Sequence, residues 1–124
     1  MVDFVIDEQG VERSRSEKEM LTGKLGYRAR RIHGGRWLRA RRLELNLTQE
    51  QLSQRLDGYS NTMISAIETG GPALPQQHWD DYADALEVDT IIFKKNMSMY
   101  YAPIAFDSLM GAPTQETLEN GLKK

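Results

Sequence analysis

Apolar residues recur three and four positions apart through the middle of the chain, which is the pattern of amphipathic helices. Leu52 and Leu56 are four apart, and Ile64 and Ile67 are three apart. The pattern predicts helices over residues 36–45, 48–56, 60–68 and 75–86, and a short fifth helix beginning at residues 91–93. We therefore expect an all-α fold, a compact bundle of four to five helices.

Capping and turn residues predict where the central helices begin and end. Thr48 and Gln51 have the spacing of a capping box, in which each side chain accepts a hydrogen bond from the other residue's backbone amide. The Asp-Gly-Tyr turn at residues 57–59 breaks the chain, because glycine adopts positive φ without steric cost. Ser60 then caps the next helix, and the Gly-Gly-Pro run at 70–72 ends it. The sequence thus predicts two short helices joined by one turn.

The first 35 residues lack a sustained helical stripe and contain five glycines. We predict an arm here, with a short strand near residues 2–6 and one short helix near residues 16–22.

Apolar residues continue after residue 93, and they are too many to leave in water. Two segments alternate as strands do: Met97, Met99 and Tyr101 in one, Val2, Phe4 and Ile6 in the other. We hypothesise that the two extensions form a short two-stranded ribbon, within one chain or between two. Residues 111–124 are predicted to form a short weak helix or a frayed tail.

Charge is unevenly distributed along a chain whose formal net charge is −2. Residues 1–12 carry −4, residues 13–42 carry +9 and residues 43–124 carry −7. A Debye length of roughly 8 Å at physiological salt hides distant acids from a bound polyanion, so the basic block can act locally. A basic run is also typical of a solvated arm, so it indicates nucleic-acid binding only when a recognition motif accompanies it.

Several kinds of chemistry are not indicated by the residue types present. The chain has no cysteine, which excludes disulfides, thiolate catalysis and cysteine zinc sites. His33 and His78 are far apart and lack ligand-like spacing, so we expect no metal. The acidic residues Asp80, Asp81 and Asp84 are interpreted as a solvated helix face. No nucleophile, base and orienting group come together, and no phosphate loop exists, so we expect neither an enzyme nor a cofactor.

The chain also lacks signals for membrane insertion or export. Its acidic opening segment is too short for a signal peptide, and no apolar run approaches the length of a membrane span. We expect a soluble, cytoplasmic protein with no membrane partner.

A set of residues between positions 38 and 93 follows the order and spacing of a known family. The set is Arg42, Leu47-Thr48-Gln49, Leu52, Ile64, Ile67-Glu68, Gly70 and Ala83 to Leu86. On these residues the segment resembles the lambda-repressor and Cro-like (Xre-type) helix-turn-helix family. The turn between Leu56 and Ile64 is one residue longer than the family pattern.

The resemblance implies roles for individual residues. It implies base reading in the major groove by the helix that starts at Ser60 and by the preceding helix: Asn61, Thr62, Ser65 and Gln49. We expect phosphate or minor-groove contacts from hydroxyl and arginine side chains: Thr48, Ser60, Arg28, Arg30, Arg31, Arg36 and Arg39. The resemblance also implies a structural ion pair between Arg42 and Glu68.

The resulting functional hypothesis is a dimeric transcriptional repressor that binds an inverted repeat in double-stranded DNA. It divides the chain into a basic arm (1–35), a helix-turn-helix DNA-binding domain (36–96) and a C-terminal dimerisation or packing extension (97–124). Repression is favoured over activation because it requires only tight binding. The alternative is a protein-interaction module on the same fold, an antitoxin or anti-activator that sequesters a partner protein; the acidic C-terminal part and its apolar tail favour it.

Overall fold

The computed structural model describes residues 4–6, 12–14 and 23–123. Strands β1 (Phe4–Ile6) and β2 (Glu12–Ser14) pair antiparallel, with Phe4 opposite Ser14. Within the described residues seven α-helices follow: α1 (Gly23–Glu44), α2 (Gln49–Arg55), α3 (Asn61–Glu68), α4 (Trp79–Ala85), α5 (Thr90–Tyr101), α6 (Pro103–Met110) and α7 (Gln115–Asn120). A 3-10 turn at Gln76–His78 leads into α4. The predicted all-α bundle is confirmed, with more helices than expected.

Helix α1 begins at Gly23, not at Arg36 as the sequence pattern predicted. Glycines that suggested a broken arm lie inside the helix, because two of them allow close packing. A β-carbon at Gly35 would lie 2.5 Å from the carbonyl oxygens of Ile67 and Glu68, so the backbones of α1 and α3 touch there. Residue 35, the predicted end of the arm, is therefore mid-helix. The predicted helix at 16–22 lies outside the described residues.

The caps of the central helices are formed as predicted. Thr48 Oγ1 accepts from the amide of Gln51 at 3.0 Å, and Gln51 Oε1 accepts from the amide of Thr48 at 2.8 Å. Ser60 Oγ accepts from the amide of Met63 at 3.2 Å and so starts α3. Gly58 in the intervening turn has φ +82°.

The core centres on α5, which packs against α1, α4 and α6, while α3 packs against α1 and α2. Its fully or nearly fully buried side chains come from all seven described helices and from the end of α4: Leu38, Leu52, Ile64, Ile67, Tyr82, Leu86, Phe93, Met97, Tyr100, Phe106 and Leu118.

The predicted ribbon between the two termini is wrong, because Met97, Met99 and Tyr101 lie in α5 and β1 pairs with β2. Helix α5 is covered by α1, α4 and α6, so apolar residues occur on several of its sides. A helix that packs on several sides shows no single apolar stripe, and part of its apolar pattern imitates the alternation of a strand. The expected short strand near residues 2–6 is present as β1.

The last residues fold back onto the bundle. Tyr100 Oη donates to the carbonyl of Leu118 at 2.8 Å. The Asn96 amide donates to the carbonyl of Leu122 at 2.9 Å and accepts from its N–H at 2.7 Å. Of the two alternatives for this segment, the structure has the short helix, α7, capped by Thr114.

Candidate nucleic-acid interface

Helix α3 has one buried face and one polar exposed face. Ile64, Ile67 and Glu68 are buried, whereas Asn61 and Thr62, its first two residues, are exposed. Ser65 is half-buried on the next turn. The turn before α3 packs inward: Tyr59 is 6% exposed, and its carbonyl accepts from Ser53 Oγ at 2.5 Å. Within the described residues, the N-terminal end of α3 presents exposed polar side chains.

A buried ion pair joins α1 to the end of α3. Arg42 donates from Nε and Nη2 to the two carboxylate oxygens of Glu68, each at 2.8 Å, with side chains 7% and 1% exposed. This hydrogen bond raises the pKa of Arg42, against the opposing effect of burial. Arg42 also donates to the carbonyl of Leu47 at 2.7 Å. The pair implied by the resemblance is thus present, and it fixes the start of α2 as well.

Gln49 belongs to the same network. Its amide nitrogen donates to Glu68 Oε1 at 3.2 Å, and the side chain is half-buried. A side-chain amide held in this way positions α2 against α3. The structure thus gives Gln49 a scaffold role, and base reading by Gln49 stays a prediction.

Arg30 is not available to phosphate, contrary to the prediction. Its side chain is 0% exposed and donates to the two carboxylate oxygens of Asp107 at 2.9 and 2.7 Å, and to the carbonyl of Met99 at 3.3 Å. The reason is the continuous helix: Gly26, Arg30 and Gly34 recur every fourth residue on the buried face of α1. This four-residue spacing is visible in the sequence and is typical of one face of a helix, but the assignment of residues 1–35 to an arm overlooks it.

The other predicted phosphate ligands lie nearer the surface. Arg28, Arg36 and Arg39 are exposed on α1, and Arg31 is half-buried with Tyr101 nearby. Thr48 and Ser60 are exposed, and each hydroxyl accepts one backbone amide. A hydroxyl that accepts at a cap still has its own hydrogen to donate, so it can serve a phosphate oxygen.

Two further basic residues stabilise the fold through hydrogen bonds that the sequence analysis did not predict. Arg41 donates to the carbonyls of Leu86 and Glu87 at 2.9 and 3.1 Å, and Arg55 donates to the carbonyl of Ala85 at 3.0 Å. These carbonyls lie at the C-terminal end of α4, where cations are favourable. Basic charge here stabilises a helix end.

Across the described ranges, no group of three or more histidine, aspartate or glutamate side chains is placed to hold a metal ion. None of the helices in that same part of the chain is long and apolar enough to cross a bilayer.

Comparison with known proteins finds a family match for the central helices. Residues 38–93 match the family model described as Helix-turn-helix. No curated protein and no solved structure matches the chain. The matched segment belongs to the Cro/C1-type, Xre-like helix-turn-helix family, a family of DNA-binding regulators rather than of enzymes. The match begins inside α1 and ends inside α5, so the first two-thirds of α1, most of α5 and all of α6 and α7 lie outside it.

Proposed function

We propose that this protein is a sequence-specific transcriptional regulator, a dimeric repressor that inserts α3 into the major groove of duplex DNA. The observation that carries the proposal is the polar, exposed start of α3 on a helix whose other face is held by the core and by the Arg42–Glu68 pair. A helix held in this way presents its side chains to base edges at little entropic cost.

Asn61 is the strongest base reader in this proposal. Its exposed amide can bind adenine bidentately, donating to N7 and accepting from N6. Thr62 and Ser65 offer hydroxyl groups that donate or accept, which suits several bases.

Arginines on α1 are proposed to bind the phosphate backbone beside α3. A β-carbon at Gly70 would lie 2.7 Å from Ile32 Cγ1, so the C-terminal end of α3 meets α1 at Ile32. Arg28 and Arg36 lie four residues on either side of Ile32, on the same side of α1, and both are exposed. Arg39 is also exposed, one turn nearer to the start of α2. These three arginines would flank the recognition helix with positive charge.

Dimerisation is proposed to use an apolar groove of about 480 Å³ between α5 and α6. Ile91, Leu109 and Met110 line it and are 66, 83 and 63% exposed, above the buried ring of Phe106. Large apolar side chains left together in water favour association. Two subunits would place their α3 helices about 34 Å apart in successive major grooves, so the operator would be an inverted repeat.

Selection of bound fragments from random DNA tests the proposal, because it reports sequence, half-site spacing and symmetry together. An enriched inverted repeat with half-sites about one helical turn apart is the expected result. Reporter transcription from a promoter overlapping that repeat should fall when the protein is present.

The rival function is a protein-interaction module on the same fold. The exposed apolar groove favours it as much as it favours a dimer. A mobility shift at moderate salt separates the two: absence of a discrete complex on the selected or upstream DNA would promote the rival and reject the repressor.

A further inference from the structure

Met63 is an anomaly on α3. The other large apolar side chains of this helix, Ile64 and Ile67, are 0 and 3% exposed, whereas Met63 is 45% exposed. Met63 follows the polar Thr62 and precedes the core residue Ile64 in sequence, and its exposure places its side chain on the solvent-facing surface of α3. An exposed thioether in an otherwise polar binding surface requires a chemical reason.

The backbone of Met63 is held firmly. Its N–H donates to the capping hydroxyl of Ser60, which fixes the first turn of α3. Met63 therefore keeps a constant position relative to Asn61 and Thr62, and only its side chain is adjustable. A long, unbranched and polarisable side chain suits contact with a small apolar group whose position varies slightly.

The major groove offers one such group. Among the base edges displayed there, thymine alone carries a methyl group, at C5, beside the hydrogen-bond donors and acceptors by which the bases are otherwise distinguished. A methionine that loses contact with water on binding gains most where it meets that methyl. Beside a donor or acceptor, the same side chain would desolvate a polar group without replacing its hydrogen bond.

We propose that Met63 is a specificity-determining residue that selects thymine through its C5 methyl group, an inference that rests on the proposed function because it requires α3 to enter the groove. Asn61 and Thr62 would read hydrogen-bonding edges, while Met63 reads shape and hydrophobicity at a base pair nearby.

The test pairs a protein change with a DNA change. Each thymine of the selected half-site is replaced in turn by deoxyuridine, which removes the methyl group and keeps every hydrogen-bonding group. Wild-type protein should lose about fourfold in affinity at one position, the value of one methyl group or ~0.8 kcal/mol. Met63→Gln, similar in length but polar, should bind the thymine site about fourfold more weakly and be indifferent to the replacement. Met63→Leu should retain the discrimination.

The outcomes distinguish this inference from the function on which it rests. If wild type binds a defined site but tolerates deoxyuridine everywhere, the Met63 inference is overturned and the regulator stands. The same holds if Met63→Gln still responds to the methyl group. If wild type shows no preferred sequence, the proposed function fails and the inference fails with it. Circular dichroism of both variants checks that they still fold. If Met63→Gln does not fold, the comparison of thymine with deoxyuridine is made with Met63→Leu instead.

Discussion

At the scale of single residues, the Arg42–Glu68 pair shows how a charged contact holds a binding helix in place. Burying two charges carries a large desolvation cost, which is offset here by two charge-assisted hydrogen bonds, with further donors from Gln49 to Glu68 and from Arg42 to Leu47. The pair therefore fixes the orientation of α3 relative to α1 more than it adds to the net free energy of unfolding.

Removing one partner should be far worse than removing both. Arg42→Ala leaves a buried carboxylate uncompensated, so the free energy of unfolding should fall by about 3–5 kcal/mol. The double variant Arg42→Met, Glu68→Leu should lose much less, because no charge is left buried. Urea denaturation of the single and double variants measures both values, and additive losses would contradict the account.

Losing a base contact and losing a phosphate contact should change the affinity for DNA in different ways: the first depends on the DNA sequence, and the second depends on the salt concentration. Asn61→Ala should cost about 1–3 kcal/mol at one base position, while Arg39→Ala should weaken all sequences alike and lower the salt slope by about one. Titrations on specific and random DNA at several salt concentrations measure these effects. Asn120→Ala and Lys123→Ala, exposed on or after α7, are the matched controls. Equal losses on both DNAs for Asn61→Ala would refute its role.

His33 gives the interface between α1 and α7 a pH dependence. Burial, and then the charge of Arg36, lower the pKa of His33 below 6.5, while Glu119 acts in the opposite direction and Gln115 lies 3.4 Å away. In the window between the lowered pKa and 6.5 the unfolded chain binds more protons, so stability falls as pH falls.

His33→Gln removes this titration, so its unfolding free energy should depend less on pH below 6.5 than that of wild type. Denaturant titrations at several pH values give the difference, and His78→Gln controls for the substitution itself. Parallel curves for wild type and His33→Gln would contradict the assignment.

At the scale of elements, the crossing of α1 over α3 depends on Gly35. Alanine there would gain up to ~1 kcal/mol of helix propensity. Its β-carbon, however, would lie 2.5 Å from two carbonyl oxygens of α3, which are backbone atoms and can move only if the helix itself moves. Gly35→Ala should therefore destabilise the protein and shift α3.

Thermal denaturation measures the effect against two controls. Ala40→Gly, at an exposed position of the same helix, gives the propensity value alone, about 1 kcal/mol. Gly34→Ala meets side-chain atoms of Tyr100 and Tyr101, so it should cost less than Gly35→Ala. A stabilised Gly35→Ala variant would show that the helices do not touch.

The same glycines show which parts of the fold could not be predicted from the sequence. Short helices with local caps, such as α2 and α3, were predictable because Thr48 and Ser60 act within four residues of their partners. The early start of α1 was not, since Gly34 and Gly35 are explained only by helices 30 or more residues away. Arg30 was misassigned for the same reason, because its partner Asp107 is distant in sequence.

At the scale of the whole molecule, the helix-turn-helix segment is part of a larger bundle. The first two-thirds of α1 and helices α6 and α7 lie outside the family match. Arg30 of α1 binds Asp107 of α6, and Tyr100 of α5 binds the carbonyl of Leu118 in α7. Because α1 and α5 each continue into the matched segment, these contacts join the additions to it. These additions share the core and stabilise α1, the helix on which α3 packs. Among them, α7 should therefore affect stability without contacting DNA.

A core variant in α7 tests that separation of roles. Leu118 is 0% exposed and more than 40 residues from α3 in sequence, so Leu118→Ala should cost about 2–5 kcal/mol of unfolding free energy through the cavity it leaves. Below its melting temperature the variant should bind the selected operator with wild-type affinity, because the folded molecule keeps the same α3 surface.

Asn61→Ala should show the reverse, with unchanged melting temperature and weakened binding, since its side chain is exposed. Glu116→Ala, exposed on the same helix as Leu118, controls for substitution in α7. Melting curves and affinities of the three variants give the comparison. If Leu118→Ala weakened operator binding of the fully folded protein as strongly as Asn61→Ala does, α7 would be part of the DNA-binding mechanism rather than its support.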